Sequence, residues 1–389
     1  MLIETGSRID NVQLELNTIE IFFWFRKFVI SNIKKKLNEI FKQNLNIKKL
    51  ENKEYFRNLK CLIFKIFTKF SFFQPSMFEN KPWVCYWLLH SLDLFSIYFK
   101  KDYFGKNQNK VFLYLSKINL SKVFKNSNPS LFYLYSSILY SILIKNFNFQ
   151  ILNITSKKST YYFLKSLTKN VVLPRNSSIS DCDGRNLFCI FTISSLYGIL
   201  SLDLENLCVE SFRHLSITSE GFTTKKFSGV HGALNYCWLG SLFFLNTDKK
   251  LKLFFGIKKW LLNRQHFFTF GLSGRLSKVP DSCYNFWIGA SLILLNIKIG
   301  KELENSYIFY NDKTSSSFSD RSGKITDSYH ICYSISGLAL LNFLMMSVDL
   351  NITKNFDTKN NYNKIGYLGK LNPIFNLRET KILNYFSID

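Results

Sequence analysis

The chain repeats itself at a period near fifty residues, and that period constrains the fold more than any other feature. Apolar segments recur at Trp83–Phe95, Ser130–Leu143, Arg185–Leu200, His231–Phe244, Cys283–Leu295 and His330–Leu344. With Trp87, Ser136, Cys189, Cys237, Trp287 and Ser334 as equivalent positions, the spacings are 49, 53, 48, 50 and 47. Each segment is apolar nearly all round, as a buried helix is. More polar, helix-compatible stretches lie between them, at Leu202–Leu215, Lys249–Arg264 and Lys301–Tyr310. Glycine-containing turns follow, at Glu220-Gly221-Phe222, Gly271-Leu-Ser-Gly274 and Ser322-Gly323. Each unit thus reads as outer helix, turn, inner helix, and six units of one length mark a repeat architecture. The expected fold class is all-α: an α/α barrel, or toroid, of about six helical hairpins, with an open superhelix as the alternative. The expected division is an N-terminal helical extension over 1–70, the barrel over 71–350, and a polar, partly ordered C-terminal tail over 351–389.

Closure of such a barrel would set the start of every inner helix around one rim. Residues at matching places on adjacent repeats would then be neighbours, so Asp281, Cys283 and His330 could meet at one point. Cys283 and His330 are 47 positions apart, one period. The stretch Arg275–Trp287 reads R-L-S-K-V-P-D-S-C-Y-N-F-W. Its cations suit a diphosphate, its Asp281-x-Cys283 pair suits a divalent metal, and its aromatics suit an apolar tail. The segment Asp327-Ser-Tyr-His330 supplies the imidazole. A buried cysteine or a satisfied core histidine is the ordinary reading of either residue alone; their occurrence together one repeat apart reverses it. The two segments together point to zinc-dependent prenyl transfer.

Composition narrows the alternatives. The 389 residues include 40 Phe, 17 Gly and 6 Pro, a bias that reads as drift in the gene more than as a fold signal. A formal net charge of +24 calls for an anionic partner: a nucleic acid, a membrane surface or a phosphate-bearing substrate. The lysines are scattered, with Lys34-Lys35-Lys36 the only run, and that run reads as a solvated helix face. No zinc-finger or RNP-type pattern is present, so nucleic acid is not the expected partner. The eight cysteines show no disulfide spacing, which fits a reducing, cytoplasmic compartment. Glu4, Asp10, Glu15 and Glu20 argue against a secretory or transit signal. Ser130–Ile144 and Ile331–Val348 are short or serine-containing, and read as buried helices rather than transmembrane segments.

Five motifs carry a resemblance to a known family: Lys81–Leu92, Asp183–Cys189, His231–Cys237, Arg275–Trp287 and Asp320–Leu338. In these the chain resembles the β subunits of the protein prenyltransferases, α/α barrels that join an isoprenoid to a cysteine thiol. The resemblance implies that Asp281, Cys283 and His330 are the ligands of one Zn2+, with the fourth position open to a substrate thiolate. It assigns His231, Arg275, Lys278 and Tyr284 to the diphosphate, and Asp320 to a Mg2+ ion on that diphosphate. It assigns Trp287 to the isoprenoid tunnel, Arg185 to the neighbourhood of the peptide carboxylate, and Trp83, Trp87 and Tyr329 to substrate binding. Trp83, Tyr329 and Asp320 are similar to the farnesyl branch of the family. The implied substrates are farnesyl diphosphate and a protein ending in a Cys-a-a-X (CaaX) motif. The implied partner is a separate α subunit, in an obligate heterodimer. The type I geranylgeranyl branch, an inactive scaffold and a terpene cyclase are the rival readings; no D-x-D-D acid motif supports the last. Leu234 and Phe188 depart from the tyrosines expected there, and Ser130 and Phe132 differ where the peptide groove is shaped.

Overall fold

A computed structural model describes residues 81–94, 130–145, 157–172, 184–206, 217–218, 220–223, 229–244, 251–266, 271–297, 311–312, 317–321, 324–349 and 368–386. The extension expected over 1–70 lies outside the described residues. Nine helices are named here: α1 (Lys81–Leu94), α2 (Leu131–Lys145), α3 (Lys157–Val172), α4 (Gly184–Leu196), α5 (Gly232–Phe244), α6 (Leu251–Leu262), α7 (Tyr284–Leu294), α8 (Ser328–Asp349) and α9 (Glu379–Phe386). Three two-residue antiparallel ribbons accompany them: β1 (Ile217–Thr218) with β2 (Gly221–Phe222), β3 (Asn311–Asp312) with β4 (Ser317–Phe318), and β5 (Leu371–Asn372) with β6 (Leu377–Arg378).

The six apolar segments of the repeat are six helices, and they form a closed ring. α1 packs on α2, α2 on α4, α4 on α5, α5 on α7, α7 on α8, and α8 returns to α1. The last contact decides between a barrel and an open superhelix. These inner helices bury most of their circumference; in α5, Leu234 through Ser241 are all buried. Their serines sit in the core at little cost because each donates back to its own helix. Ser91, Ser241 and Ser291 bond the carbonyls of Trp87, Cys237 and Trp287 at 2.7, 2.8 and 2.7 Å. Close approach is sequence-specific: a Cβ on Gly240 of α5 would stand 2.6 Å from the Phe188 ring of α4. The outer helix α6 is amphipathic instead, with Ile257, Trp260 and Leu261 buried and Lys258, Lys259 and Leu262 exposed.

Residues 368–386 depart from the polar tail expected over 351–389. They form the β5–β6 ribbon and α9, which pack on α8, α1 and α2. Leu371 and Leu377 are fully buried, with Leu368, Ile374, Phe375 and Ile382 close to it. A buried charge cluster fixes the segment. Arg378 Nη2 and Lys381 Nζ stand 3.0 and 3.6 Å from Asp93 Oδ1 of α1, and Lys381 also donates to the Leu143 carbonyl of α2 at 3.3 Å. Burial raises the Asp93 carboxyl and lowers the Lys381 amine, while each partner's charge pulls the other way. Removing one member of such a cluster strands the others, at a cost of about 3–5 kcal/mol.

His90 marks the seam where the ring closes. It is fully buried on α1, shares a 3.2 Å hydrogen bond with Ser336 Oγ of α8, and stacks on Tyr86 at 5.5 Å. Burial lowers its pKa from 6.5 to about 3. Above pH 6.5 the imidazole is neutral whether the chain is folded or not. Below that pH the unfolded chain takes up a proton that the folded chain refuses, so stability falls as pH drops from 6.5 toward 3. Between pH 6.5 and 4.5 the wild type should lose about 2–3 kcal/mol more than His90→Gln. Urea unfolding across that range measures the difference; equal slopes would contradict a neutral buried imidazole.

Candidate metal and diphosphate site

The three expected metal ligands converge. Asp281 and Cys283 immediately precede α7, and His330 is the third residue of α8, the neighbouring inner helix. One carboxylate oxygen, the thiol sulfur and one ring nitrogen all lie within 4.8 Å of one another. Asp281 Oδ1 stands 3.4 Å from His330 Nε2 and accepts the Cys283 backbone N–H at 2.9 Å. Cys283 is 4% exposed. Burial and the neighbouring Asp281 carboxylate push its thiol well above the usual value. Burial also opposes the Asp281 charge, but hydrogen bonds from His330 and Cys283 outweigh it and hold the carboxyl low. The donor set fits a zinc ion: one carboxylate, one sulfur and one imidazole, on three rigid attachments. Tetrahedral Zn2+ separates such atoms by about 3.3–3.6 Å, so the trio, with its atoms within 4.8 Å of one another, needs at most about 1.5 Å of closure.

Asp327 completes this group, and the sequence reading gave it no role. It stands just before α8. Its Oδ1 accepts the His330 backbone N–H at 3.0 Å, and its Oδ2 meets His330 Nδ1 at 2.6 Å. One carboxylate therefore caps the helix and orients the ring, leaving Nε2 toward Asp281. Burial lowers the His330 pKa, but the two carboxylates on either side raise it to about 9. A D-x-x-H start to a helix was the available signal, though capping alone makes that pattern common.

A second cluster lies beside the trio. Tyr284, the first residue of α7, meets His231 Nε2 through its hydroxyl at 3.1 Å, and His231 stands just before α5. Burial, with the charges of Arg275 and Arg185 acting in the same direction, lowers the His231 pKa to about 4. These four residues therefore share one electrostatic neighbourhood. Gly274 makes it possible: a Cβ there would fall 1.9 Å from Tyr284 Cζ. The Gly274 carbonyl also accepts the Gly232 N–H at 2.9 Å, tying this loop to the start of α5. Arg275 and Lys278 are exposed, on a loop that turns at the left-handed Ser277 (φ 55°). Arg185 is exposed at the start of α4. Asp320 pairs with its chain neighbour. Its two carboxylate oxygens take the Arg321 backbone N–H and Nε at 2.8 and 3.1 Å, and its carbonyl accepts the Ser282 N–H at 3.1 Å.

Below the rim an aromatic belt runs round the bore through every inner helix. Trp83 and Trp87 of α1 lie 5.7 Å apart, and Trp83 meets Tyr135 of α2 at 5.7 Å. Tyr135 meets Phe188 of α4 at 6.2 Å, and Phe188 meets Tyr236 of α5 at 5.3 Å. Tyr236 meets Trp287 of α7 at 5.1 Å, and Trp287 meets Tyr333 of α8 at 4.4 Å. Tyr333 meets Tyr329 at 4.7 Å, and Tyr329 returns to Trp87 at 5.4 Å. All these residues sit in the first two turns of their helices, so the six inner helices run in one direction with their starts on one rim. Such pairs contribute about 0.5–1.5 kcal/mol each beyond burial. Tyr329 joins the belt to the metal ligands. Its hydroxyl accepts the Trp287 Nε1–H at 3.1 Å and bonds the Cys283 sulfur. The sequence reading found Trp83, Trp87, Trp287 and Tyr329 but gave no part to Tyr135, Tyr236 or Tyr333.

Comparison with known proteins decides the family. The model for the prenyltransferase alpha-alpha toroid domain matches residues 61–377. The chain belongs to this family. The prenyltransferase fold also appears in a solved structure, Candida albicans protein geranylgeranyltransferase-I complexed with GGPP. It superposes with a TM-score of 0.61 at 16% identity, over 85% of this chain and 97% of that one. Two curated relatives are protein farnesyltransferase subunits beta. The Schizosaccharomyces pombe protein is 27% identical over 189 residues, covering 43% of this chain and 48% of that one. The Arabidopsis thaliana protein is 23% identical over 224 residues, covering 57% and 45%. The chain spans about half the length of these relatives. No helix among the described residues is long and apolar enough to cross a membrane.

If Asp327 orients the metal-facing imidazole, Asp327→Asn should keep the helix cap but lose the acceptor for Nδ1. Zinc affinity should fall about 10–100-fold. Competition with a chromophoric chelator measures it; an unchanged affinity would contradict the orienting role.

Proposed function

We propose that this chain is the catalytic β subunit of a protein farnesyltransferase, joining a farnesyl group to the cysteine thiol of a C-terminal CaaX motif. The observation that carries the reading is the convergence of Asp281, Cys283 and His330 at the mouth of an aromatic-lined bore. These three residues would hold a Zn2+ ion. When bound, zinc lowers the pKa of a thiol and so supplies a thiolate at neutral pH.

The chain's own residues would do the rest. The aromatic belt takes the isoprenoid tail and excludes water. Arg275, Lys278, Tyr284 and His231 take the diphosphate, and their donors stabilise its growing charge as the C–O bond breaks. His231 serves as a neutral donor or acceptor, because burial and the two arginines keep its ring uncharged at pH 7. Arg185, exposed at the start of α4, would take the peptide's terminal carboxylate. The sulfur attacks the first isoprenoid carbon, the C–S bond forms, and diphosphate leaves with the electron pair of the broken C–O bond. A separate α subunit supplies further cations, and the active species is the heterodimer. No disulfide joins the described cysteines, which suits a reducing cytoplasm.

The choice of farnesyl rests on Trp83. Its indole stands on the belt between Trp87 and Tyr135, where a large ring shortens the space for a tail. The geranylgeranyl reading is favoured by one observation, the likeness in fold to a geranylgeranyltransferase-I. Coexpression with a cognate α subunit, followed by labelling of a CaaX peptide with the two diphosphates in competition, separates them. Farnesyl should dominate in the wild type. Trp83→Thr should move the kcat/KM ratio at least about tenfold toward geranylgeranyl diphosphate. A wild type that prefers geranylgeranyl, or a variant with an unmoved ratio, would overturn the farnesyl assignment.

A further inference from the structure

The far end of the bore is closed by a turn that the proposed chemistry does not use. Residues Pro373–Asn376 join β5 to β6, and two tyrosines from opposite sides of the ring hold them. Tyr86 of α1 donates its hydroxyl to the Asn376 carbonyl at 2.8 Å. Tyr236 of α5 donates to the Ile374 carbonyl at 2.7 Å, with the Pro373 carbonyl at 3.0 Å. In the order of packing, α1 and α5 are separated by two helices in either direction. A turn bonded to both therefore lies across the bore. It sits away from the metal ligands, because Phe375 meets Phe244, the last residue of α5, at 5.8 Å. The turn is stiff in itself. Asn372 Oδ1 accepts the backbone N–H groups of Ile374 and Phe375 at 2.9 and 3.1 Å, and Asn376 adopts a left-handed φ of 48°.

Tyr236 belongs to both structures. Its ring is part of the belt, 5.3 Å from Phe188 and 5.1 Å from Trp287, while its hydroxyl reaches the turn. The belt and the closure of the bore are therefore one tyrosine apart. A tail that enters at the metal rim and passes the belt meets the pinned turn next, and a tail one isoprene unit longer needs the turn to move.

We infer that Tyr236 is a specificity-determining residue: its hydroxyl, with that of Tyr86, pins the turn Pro373–Asn376 as the floor of the bore and so limits the length of the isoprenoid chain accepted. This rests on the prenyl-transfer reading above, and it adds a second length control to Trp83, on a different element. Tyr236→Phe keeps the belt ring and removes the pin. Tyr86→Phe removes the other pin, from the opposite wall, and keeps the ring that stacks on His90.

The test is equilibrium binding of farnesyl and geranylgeranyl diphosphates to the heterodimer, for wild type and both variants. Each variant should move the ratio of the two dissociation constants about threefold to tenfold toward geranylgeranyl diphosphate. A merely structural hydroxyl would lower the melting temperature and weaken both ligands in parallel; an unmoved ratio in both variants overturns the inference while leaving the prenyl-transfer reading intact. A wild type that binds neither diphosphate overturns both.

Discussion

The return of α8 to α1 is the contact on which the rest depends. Without it the same six hairpins form an open superhelix, whose helix starts lie along an edge rather than around a mouth. With it the inner helices share one direction, and their starts face one another across a narrow rim. The apolar composition of α5 and α7 follows from that geometry, since a helix in a closed inner ring meets neighbours on both sides and side chains of the bore in front. The buried His90–Ser336 pair and the Trp87–Tyr329 contact both lie on this seam. The C-terminal ribbon reinforces it, bonding α1 through Tyr86 and Asp93 while packing on α8.

Closure also sorts the chemistry by depth. Charged and metal-ligating groups gather at the rim, where Asp281, Cys283, His330, His231 and Arg275 come from three separate stretches of chain. Aromatic rings fill the level beneath, and backbone carbonyls of the C-terminal turn lie beneath those. A molecule with a polyanionic head and an apolar tail matches that order. The electrostatics agree with it: His231 is held neutral among arginines, while Asp281 is held ionised beside His330.

How much of this was legible in the sequence depended on how unusual each residue was for its place. The period was readable because six apolar segments of similar length stand between polar ones, and each of the six became an inner helix. Asp281, Cys283 and His330 were readable because acid, thiol and imidazole one period apart are rare together. Tyr135, Tyr236 and Tyr333 were not, because a tyrosine inside an apolar helix carries no sign of which neighbour it will face. Helix α3 was not singled out because its buried face, Thr160, Leu164 and Thr168, is two-thirds threonine and carries little apolar signal. The C-terminal segment read as a polar tail because its core residues, from Leu368 to Ile382, follow no helical period. They are brought inward by a two-residue ribbon and by an ion cluster that joins Arg378 and Lys381 to Asp93, which lies 285 positions before Arg378. The Asp320–Arg321 pairing was hidden for the opposite reason: the partners are immediate neighbours, and adjacency conceals a pairing among ordinary loop residues.

The central claim is that ring closure brings one acid, one sulfur and one imidazole onto a single ion. X-ray absorption at the zinc edge of the purified, zinc-loaded protein tests it most directly. The account predicts one sulfur neighbour at about 2.3 Å, the remaining neighbours being nitrogen or oxygen at about 2.0–2.2 Å. A shell without sulfur, or one with two or more sulfurs, would contradict it.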